Sequence, residues 1–566
     1  MSKMPLDFQP PQASLESGMT QDQTKYVDLV LRPAPNDSSV DDSHASPALA
    51  QTLGYGIFED QANDTSDWSK LCLQRVLSHH FSARILMRPK IKGIHIDSYK
   101  TNMDFGHWAR VKVEGQPDRV EVLVVEPNHV HIGCVILHND TRCQLFFDPG
   151  HDHLCFRNDC STPLTTRQLD GENSYHVIPN GTATLGVGVW ALATDSETFM
   201  EIEVLKRKTW RITQTLSSKR GAPTDDEETS KRLRTASSHG IAPVPDTGLE
   251  RRPQSGSGSN ALTELQRGEV IFVGVSKMYW LKRLDTIYEQ PNSTVWRAES
   301  NKYNTGLNGE KIVVKVLKPD SFGGDVIKCA EAWKNECETH AVVGDHRAIV
   351  KLLGFDARFH SIFTEHINAK SLWDPCQPDL SFSGSRADAQ KIMQDIASAL
   401  SHVHSKQKVH NDIKPGNILY SPERGAVLID FGISTPRRQP APTGGSPWYM
   451  SPEFILHWKL RGPASDVWAL GIVGLWMLGH IPMPEVTYPE WQIADISSEE
   501  TVSVAHLEAV YTMKGWLEYI REARSKLRVE DELEAIVKLA LDEDRTTRID
   551  ASSLSQRLDQ LKLTAP

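Results

Sequence analysis

Four short runs in the second half of the chain gather side chains that could do chemistry. The first is His410-Asn411-Asp412-Ile413-Lys414-Pro415-Gly416-Asn417. Twelve residues after Ile418 comes Asp430-Phe431-Gly432, entered through the apolar Val427-Leu428-Ile429. Further on stands Ser451-Pro452-Glu453. Upstream, Lys315 sits inside the apolar run Ile312-Val313-Val314-Lys315-Val316. Carboxylates and an amide are hard oxygen donors of the kind a divalent cation takes. A carboxylate can accept a hydroxyl proton, and ammonium groups offset the charge of an anionic group in transfer. One such tripeptide means little alone; three in this order and spacing are specific.

Those runs need elements to hold them. From 263 to 562 strand-like segments come first (VIFVGV, KIVVKVL) and helical ones last (DELEAIVKLAL, ASSLSQRLDQLKL). Strands followed by helices predict an α+β domain of two lobes. Residues 467–484 carry no Asp, Glu, Lys or Arg. That length could span a bilayer. His480, two prolines and short flanks favour a helix buried in protein instead.

The order of these motifs resembles the protein-kinase superfamily, in its eukaryotic-type Ser/Thr branch. The 410–417 run looks like the catalytic loop, Asp430-Phe431-Gly432 like the magnesium motif, and Ser451-Pro452-Glu453 like the end of the activation segment. The resemblance implies Asp412 as the base that orients the substrate hydroxyl and Lys414 as the cation at the transferring phosphoryl. Asp412-x-Lys414 is also the Ser/Thr form of that loop. The resemblance further implies Asn417 and Asp430 as magnesium ligands, and Lys315 as the ATP anchor. Its acidic partner belongs on the following helix, with Glu336 the best fit in spacing and Glu338 and Glu331 as alternatives. Glu365 to Ile367 would hold adenine through the backbone, behind Thr364. Asp466 matches the buried aspartate that bonds the catalytic loop, and Arg548 the partner of Glu453.

Two departures matter. Alignment on Val295, a nucleotide-covering position in the family, puts Tyr288, Gln290 and Ser293 where G-x-G-x-x-G is usual. Glycine lets backbone approach phosphate closely. Its loss should weaken nucleotide handling, although Asn292 and Ser293 can still turn tightly. Asn411 replaces the arginine that usually binds a phosphorylated activation segment. Phosphate-dependent ordering of that segment thereby loses its main anchor.

The first half reads differently. Residues 1–50 are rich in Pro, Ser, Asp and Gln, and read as disordered. From 51 to 215 short β-branched runs alternate with turns (VEVLVVE, HIGCVILHND, CQLFFD, FMEIEVLKR), which predicts a β-rich sandwich. Trp68–Leu77 is its best helix signal. The strand pattern faintly resembles forkhead-associated (FHA) domains, which read phosphothreonine, but their Ser-x-x-His element is not recognisable. Phosphoprotein ligands are what that likeness implies. His151, His153, Cys155 and Cys160 lie close in sequence. Alternation along strands sets neighbours on opposite faces, so loop histidines and core cysteines are preferred to a zinc site. Residues 216–262 read as a charged, Gly/Ser/Pro-rich linker. Within it Lys219-Arg220 and Lys231-Arg232-Leu233-Arg234, ten residues apart, resemble a bipartite nuclear localisation signal.

Composition sets outer bounds. With 62 Lys+Arg against 73 Asp+Glu the net charge is −11, against a general nucleic-acid footprint. Eight Cys without a CxxC pair make no disulfide scaffold. The start of the chain carries no apolar signal region. The expectation is a nuclear or cytoplasmic Ser/Thr kinase using ATP and Mg²⁺ on protein substrates. A nuclear import carrier is an expected partner, and a membrane or direct nucleic-acid partner is not. The alternative is a pseudokinase scaffold that keeps the fold without transfer. A third reading makes the N-terminal domain a phosphopeptide reader with the kinase as accessory.

Overall fold

The computed structural model describes residues 83–205 and 260–561, each with short interruptions, and the strands Leu29–Leu31 and Ile212–Thr215. Helix Trp68–Leu77, the linker's basic clusters and most of segment 1–50 lie outside the described residues. Leu29–Leu31, within that expected disordered segment, instead pairs in parallel with His107–Val113. Three consecutive apolar residues suffice to extend a sheet edge there.

Residues 83–205, with Leu29–Leu31 added at one edge, form two β-sheets. One sheet contains Ala83–Pro89, Leu164–Gln168, Gly188–Ala193 and Thr198–Val204 among its eight strands. The other has five strands and includes Gly133–His138, Thr141–Asp148 (β1) and His153–Asn158 (β2). Alternate residues of both sheets meet in one core: Met87, Trp190 and Ile202 from the first, Leu145, Phe147, Leu154 and Phe156 from the second. Two sheets sharing one core make a β-sandwich, an architecture many unrelated families share. On β1 the burial is not one-sided. Leu145 and Phe147 face the core, and Phe146, pointing the other way, is also buried. Cys160 Sγ bonds the Arg142 carbonyl oxygen (3.1 Å) at the sandwich rim.

The second domain starts with an antiparallel sheet of seven strands. Five of these are Tyr279–Glu289 (β3), Ser293–Ser300 (β4), Ile312–Leu317 (β5), Leu352–Asp356 (β6) and Ser361–Glu365 (β7), with β6 at one edge beyond β7. Ile212–Thr215 pairs with Val270–Val273 at its edge. The boundary expected at 215 therefore falls earlier, because these four residues satisfy their backbone in the second domain's sheet and not in the sandwich. Helix Val326–Val343 (α1) lies between β5 and β6 in sequence, capped by the Asp325 side chain on the Ile327 and Lys328 amides.

The helical lobe is built around Arg386–Ser405 (α2) and Pro463–Met477 (α3). Thirteen of the fifteen α3 residues are buried, which accounts for the uncharged stretch. No helix among the described residues is long and apolar enough to cross a membrane. Arg548 and Glu453 hold this lobe together as a two-pronged pair (2.8 and 2.9 Å). Arg548 is also stacked on Trp468. A fully desolvated pair of this geometry is one whose single members are costly to remove.

Candidate active site

The cleft between the two lobes receives its residues from strand alternation first. Along β4 and β5, Trp296, Val314 and Val316 face the core, and Val295 and Lys315 face the cleft. Val295 and Lys315 are direct cross-strand partners. Lys315 Nζ then donates to both oxygens of Glu336 (2.8 and 3.0 Å) and to Asp430 Oδ1 (2.7 Å). Glu336 is 5 % exposed. The two alternatives lie elsewhere on α1: Glu338 pairs with Lys334 and Glu331 is exposed.

The three charges set one another. The surrounding protein disfavours the Lys315 cation, but Asp430 and Glu336 outweigh it and hold its pKa above the ordinary lysine value. Burial, with Asp430 adding to it, lifts Glu336 to about 7 against the pull of Lys315. Asp430 lies at the cleft surface with 41 % of its side chain exposed; neighbouring protein atoms work against its carboxylate, yet Lys315 and the Gly432 N–H prevail and keep it at about 2. Gly432 suits this crowding. A Cβ there would lie 3.1 Å from Asp430 Oδ1 and 3.3 Å from Glu336 Oε2.

The catalytic-loop run is held from below. Asp466, at the start of α3, accepts from the backbone N–H groups of His410 (2.9 Å) and Asn411 (2.8 Å) and from His404 Nε2 (2.9 Å). Asn411 takes a left-handed φ of 68°, which asparagine tolerates better than most residues. The turn lifts Asp412 towards the cleft. Asp412 Oδ2 accepts from Asn417 Nδ2 (2.8 Å) and Lys414 Nζ (2.8 Å). Its Oδ1 accepts from Ser446 Oγ (3.0 Å), and Lys414 Nζ also donates to Ser446 Oγ (2.9 Å).

A column of rings joins these loops to α1. Phe431 lies 5.0 Å between centroids from both His340 and His410. Burial lowers the pKa of both histidines, so the column is uncharged. Asn335 Nδ2 adds a bond to the Ser434 carbonyl oxygen (2.8 Å).

The activation segment is tied without phosphate. Asn411 Nδ2 donates to Thr435 Oγ1 (2.9 Å) and to the Ile433 carbonyl oxygen (3.1 Å). Arg461 donates to the Gly444 carbonyl oxygen (2.6 Å) and to that of Asn411. Ser446 and Arg461 join the site without having been singled out for it in the sequence. The partners of Ser446 are 32 and 34 positions away, and no local spacing links them.

The phosphate-facing turn is short. Gln290 N–H bonds the Ser293 carbonyl oxygen (2.9 Å), closing a hairpin over Pro291-Asn292. Lys318 pins it from below through its N–H to the Asn292 carbonyl (2.9 Å) and its Nζ to the Gln290 carbonyl (3.0 Å). At the opposite wall, Glu365 N–H bonds the Lys351 carbonyl oxygen (3.0 Å). Among the described residues no main-chain bond joins Ile367, the next connecting position but one, to another backbone group.

Known proteins place this geometry. Residues 299–558 match the family described as protein kinase domain. The chain is 40 % identical over 223 residues to a probable serine/threonine-protein kinase, MARK-A, of Dictyostelium discoideum, covering 35 % of this chain and 19 % of the relative. It is 33 % identical over 197 residues to the serine/threonine-protein kinase drp72 of Corynebacterium efficiens (33 % and 36 %). Over 216 residues it is 31 % identical to the serine/threonine-protein kinase PknA of Mycobacterium tuberculosis (36 % and 47 %). The chain thus spans less than half the length of each of these relatives. Motif order, cleft geometry and these matches agree: residues 299–558 are a protein kinase domain of the eukaryotic-type Ser/Thr superfamily.

Proposed function

We propose that the chain is a Ser/Thr protein kinase that moves the γ-phosphate of ATP to hydroxyls of protein substrates. The observation that carries this is the assembled Lys315–Glu336–Asp430 triad beside an Asp412 held by Lys414 and Asn417. In this reading Glu336 aims Lys315 at the α- and β-phosphates. Val295 covers the nucleotide, and the backbone at Glu365 and Ile367 receives adenine. Asp412 orients the substrate hydroxyl and takes its proton, and Lys414 offsets charge at the transferring group.

The donor set suits Mg²⁺. That ion is held by one or two carboxylates together with phosphate oxygens, not by a cage of protein ligands. Asp430 stays ionised, and its Oδ2 is not used by Lys315 or Gly432. Asn417 bonds Asp412 through Nδ2, which leaves Oδ1 to act as a ligand. Asp430 and Asn417 would hold the ion, which supplies positive charge between the phosphates. The decisive experiment is transfer from ATP by the full chain beside Asp412→Asn. The pseudokinase alternative draws on the glycine-free turn alone; the intact set of acids and lysines speaks for transfer.

Activity in this reading does not depend on phosphate in the activation segment, because Asn411 and Arg461 already tie it. Treating the purified chain with a general phosphatase is expected to leave its rate within about twofold. A fall beyond tenfold would show that a phosphate is needed after all. Alanine at Ser434, Thr435 and Ser446 is a poorer test, since each already makes a structural bond.

The sandwich directs substrate choice or location here, with phosphoprotein ligands as the chemistry its resemblance implies. The linker clusters support a nuclear protein carried by an import receptor. Replacing Lys219, Arg220, Lys231, Arg232 and Arg234 with Ala should move a fluorescently tagged chain to the cytoplasm. Unchanged nuclear signal would remove this part of the reading.

A further inference from the structure

The outward face of the β1–β2 pair carries Phe146 and Cys155, which are direct cross-strand partners. A phenylalanine on the outer face of a sandwich is normally wet. Phe146 is only 8 % exposed, because it lies with Cys155 against Ile327 and Ala330 of α1. Ile327 and Ala330 sit three residues apart and so share one helix face. Ala330 has no exposed surface, and its short side chain brings the sheet close to the helix.

The turn after β1 supplies a second contact. A Cβ on Gly150 would lie 2.9 Å from Asp148 Oδ1 in its own turn and 3.0 Å from the Arg358 carbonyl oxygen, so the turn runs close against the kinase sheet and a larger side chain would crowd it. Asp148 shapes the turn by accepting from the Gly150 N–H (2.7 Å) and bonding His151 Nδ1 (2.7 Å). Its charge is felt across the boundary. Burial, then Asp148, push the Cys329 thiol on α1 up to about 12. Burial, then Asp148 and Asp325, do the same to Cys155.

The helix so contacted is the one that carries Glu336. Its other face packs Cys329, Trp333 and Cys337 against Leu317, Ala357 and Ile362. Formation of the lysine–glutamate pair depends on where this helix sits. The sandwich is seen docked while that pair is formed. We propose that the sandwich is an intramolecular brace: the Phe146–Cys155 face and the Gly150 turn hold α1 where Glu336 meets Lys315. The occupant of this sheet face is α1 of the same chain. Phosphoryl transfer then depends on sandwich residues that never touch the cleft. That consequence rests on the kinase reading, whereas the brace itself is measurable without activity.

The test uses the full chain with Phe146→Asp, Gly150→Val and, as control, the exposed surface change Ile178→Asp. Two quantities are measured: amide hydrogen exchange over 326–343, and phosphate transfer from ATP. Phe146 points away from the sandwich core, so the sandwich should survive its replacement. Both interface variants are expected to speed exchange in α1 and to lower transfer by about tenfold, which is a displacement of the helix equilibrium by about 1.4 kcal/mol. Ile178→Asp should change neither. Wild-type exchange in α1 for both interface variants, with the sandwich folded, would overturn the brace. If Phe146→Asp speeds exchange throughout 83–205, the sandwich itself has opened and Gly150→Val decides. A wild type that transfers no phosphate defeats the kinase reading, and the exchange result still decides the brace.

Discussion

Asp412→Asn is expected to lower the transfer rate about 10²- to 10⁴-fold, the usual share of a positioned proton acceptor. The substitution is close to isosteric, so the loop should keep its shape: the Asp466 bonds to His410 and Asn411 do not involve the Asp412 side chain. What changes is the chemistry at two oxygens. Oδ2 now serves Asn417 and Lys414, and Oδ1 serves Ser446. An amide can replace only one of them as acceptor, and its NH₂ then faces a donor. Lys414 also loses the carboxylate that, against burial, raises its pKa. Adenine and phosphate contacts are untouched, so the KM for ATP should stay within about threefold, separating a transition-state loss from a binding loss. Rate measurements at saturating ATP and Mg²⁺ check this. A variant retaining more than a tenth of the wild-type rate would show that Asp412 does not take the proton.

The parts of this site that were legible in the sequence are those whose geometry is local. His410 to Asn417 form one turn-rich loop, and Asp430 follows a short strand back to the same place. Short loops fix relative position, so spacing alone conveys the arrangement. Lys315 was legible because a charge in a β-branched run stands out, and α3 because an uncharged run of that length has few soluble uses.

What was not legible depends on non-local pairing. Ile212–Thr215 reads as one more sandwich strand until its partner Val270–Val273 is known. Ser446 bridges Lys414 and Asp412 across the whole activation segment. The docking face leaves a trace in the sequence. Leu145-Phe146-Phe147 breaks the apolar–polar alternation expected of a strand with one wet face. Three consecutive apolar residues there meant that both faces are covered, and only the structure says by what. The glycine-free turn was legible as an absence. The way Lys318 fastens it was not, because that lysine lies beyond the next two strands.

Lys315→Met should lower transfer by at least about 100-fold and make the protein's stability depend on pH in a new range. Lys315 is the only cation bonded to Glu336 among the described residues, and it also bonds Asp430. Without it two carboxylates remain side by side, Glu336 buried and Asp430 open to the cleft. Glu336, already lifted to about 7 by burial, must rise further, and Asp430 must leave its value of about 2. The sign follows from proton counts. An acid whose folded pKa lies above its unfolded value binds more protons when folded, so stability falls as pH rises through that interval. In the wild type that interval for Glu336 ends near 7. In the variant it extends upwards, so the deficit in thermal stability should widen between about pH 6 and about pH 8. Lys315 itself, with its pKa raised, stabilises fully throughout this range and does not reverse the trend. Adding Glu336→Met to Lys315→Met removes the stranded carboxylate, and an apolar pair of similar volume can match or exceed a buried ion pair. The double variant is therefore expected to recover stability and flatten the pH dependence, yet to stay inactive. Melting curves at the two pH values, beside transfer assays, separate these effects. A double variant that regains activity would mean that the lysine serves only to neutralise Glu336 and plays no part at the phosphates.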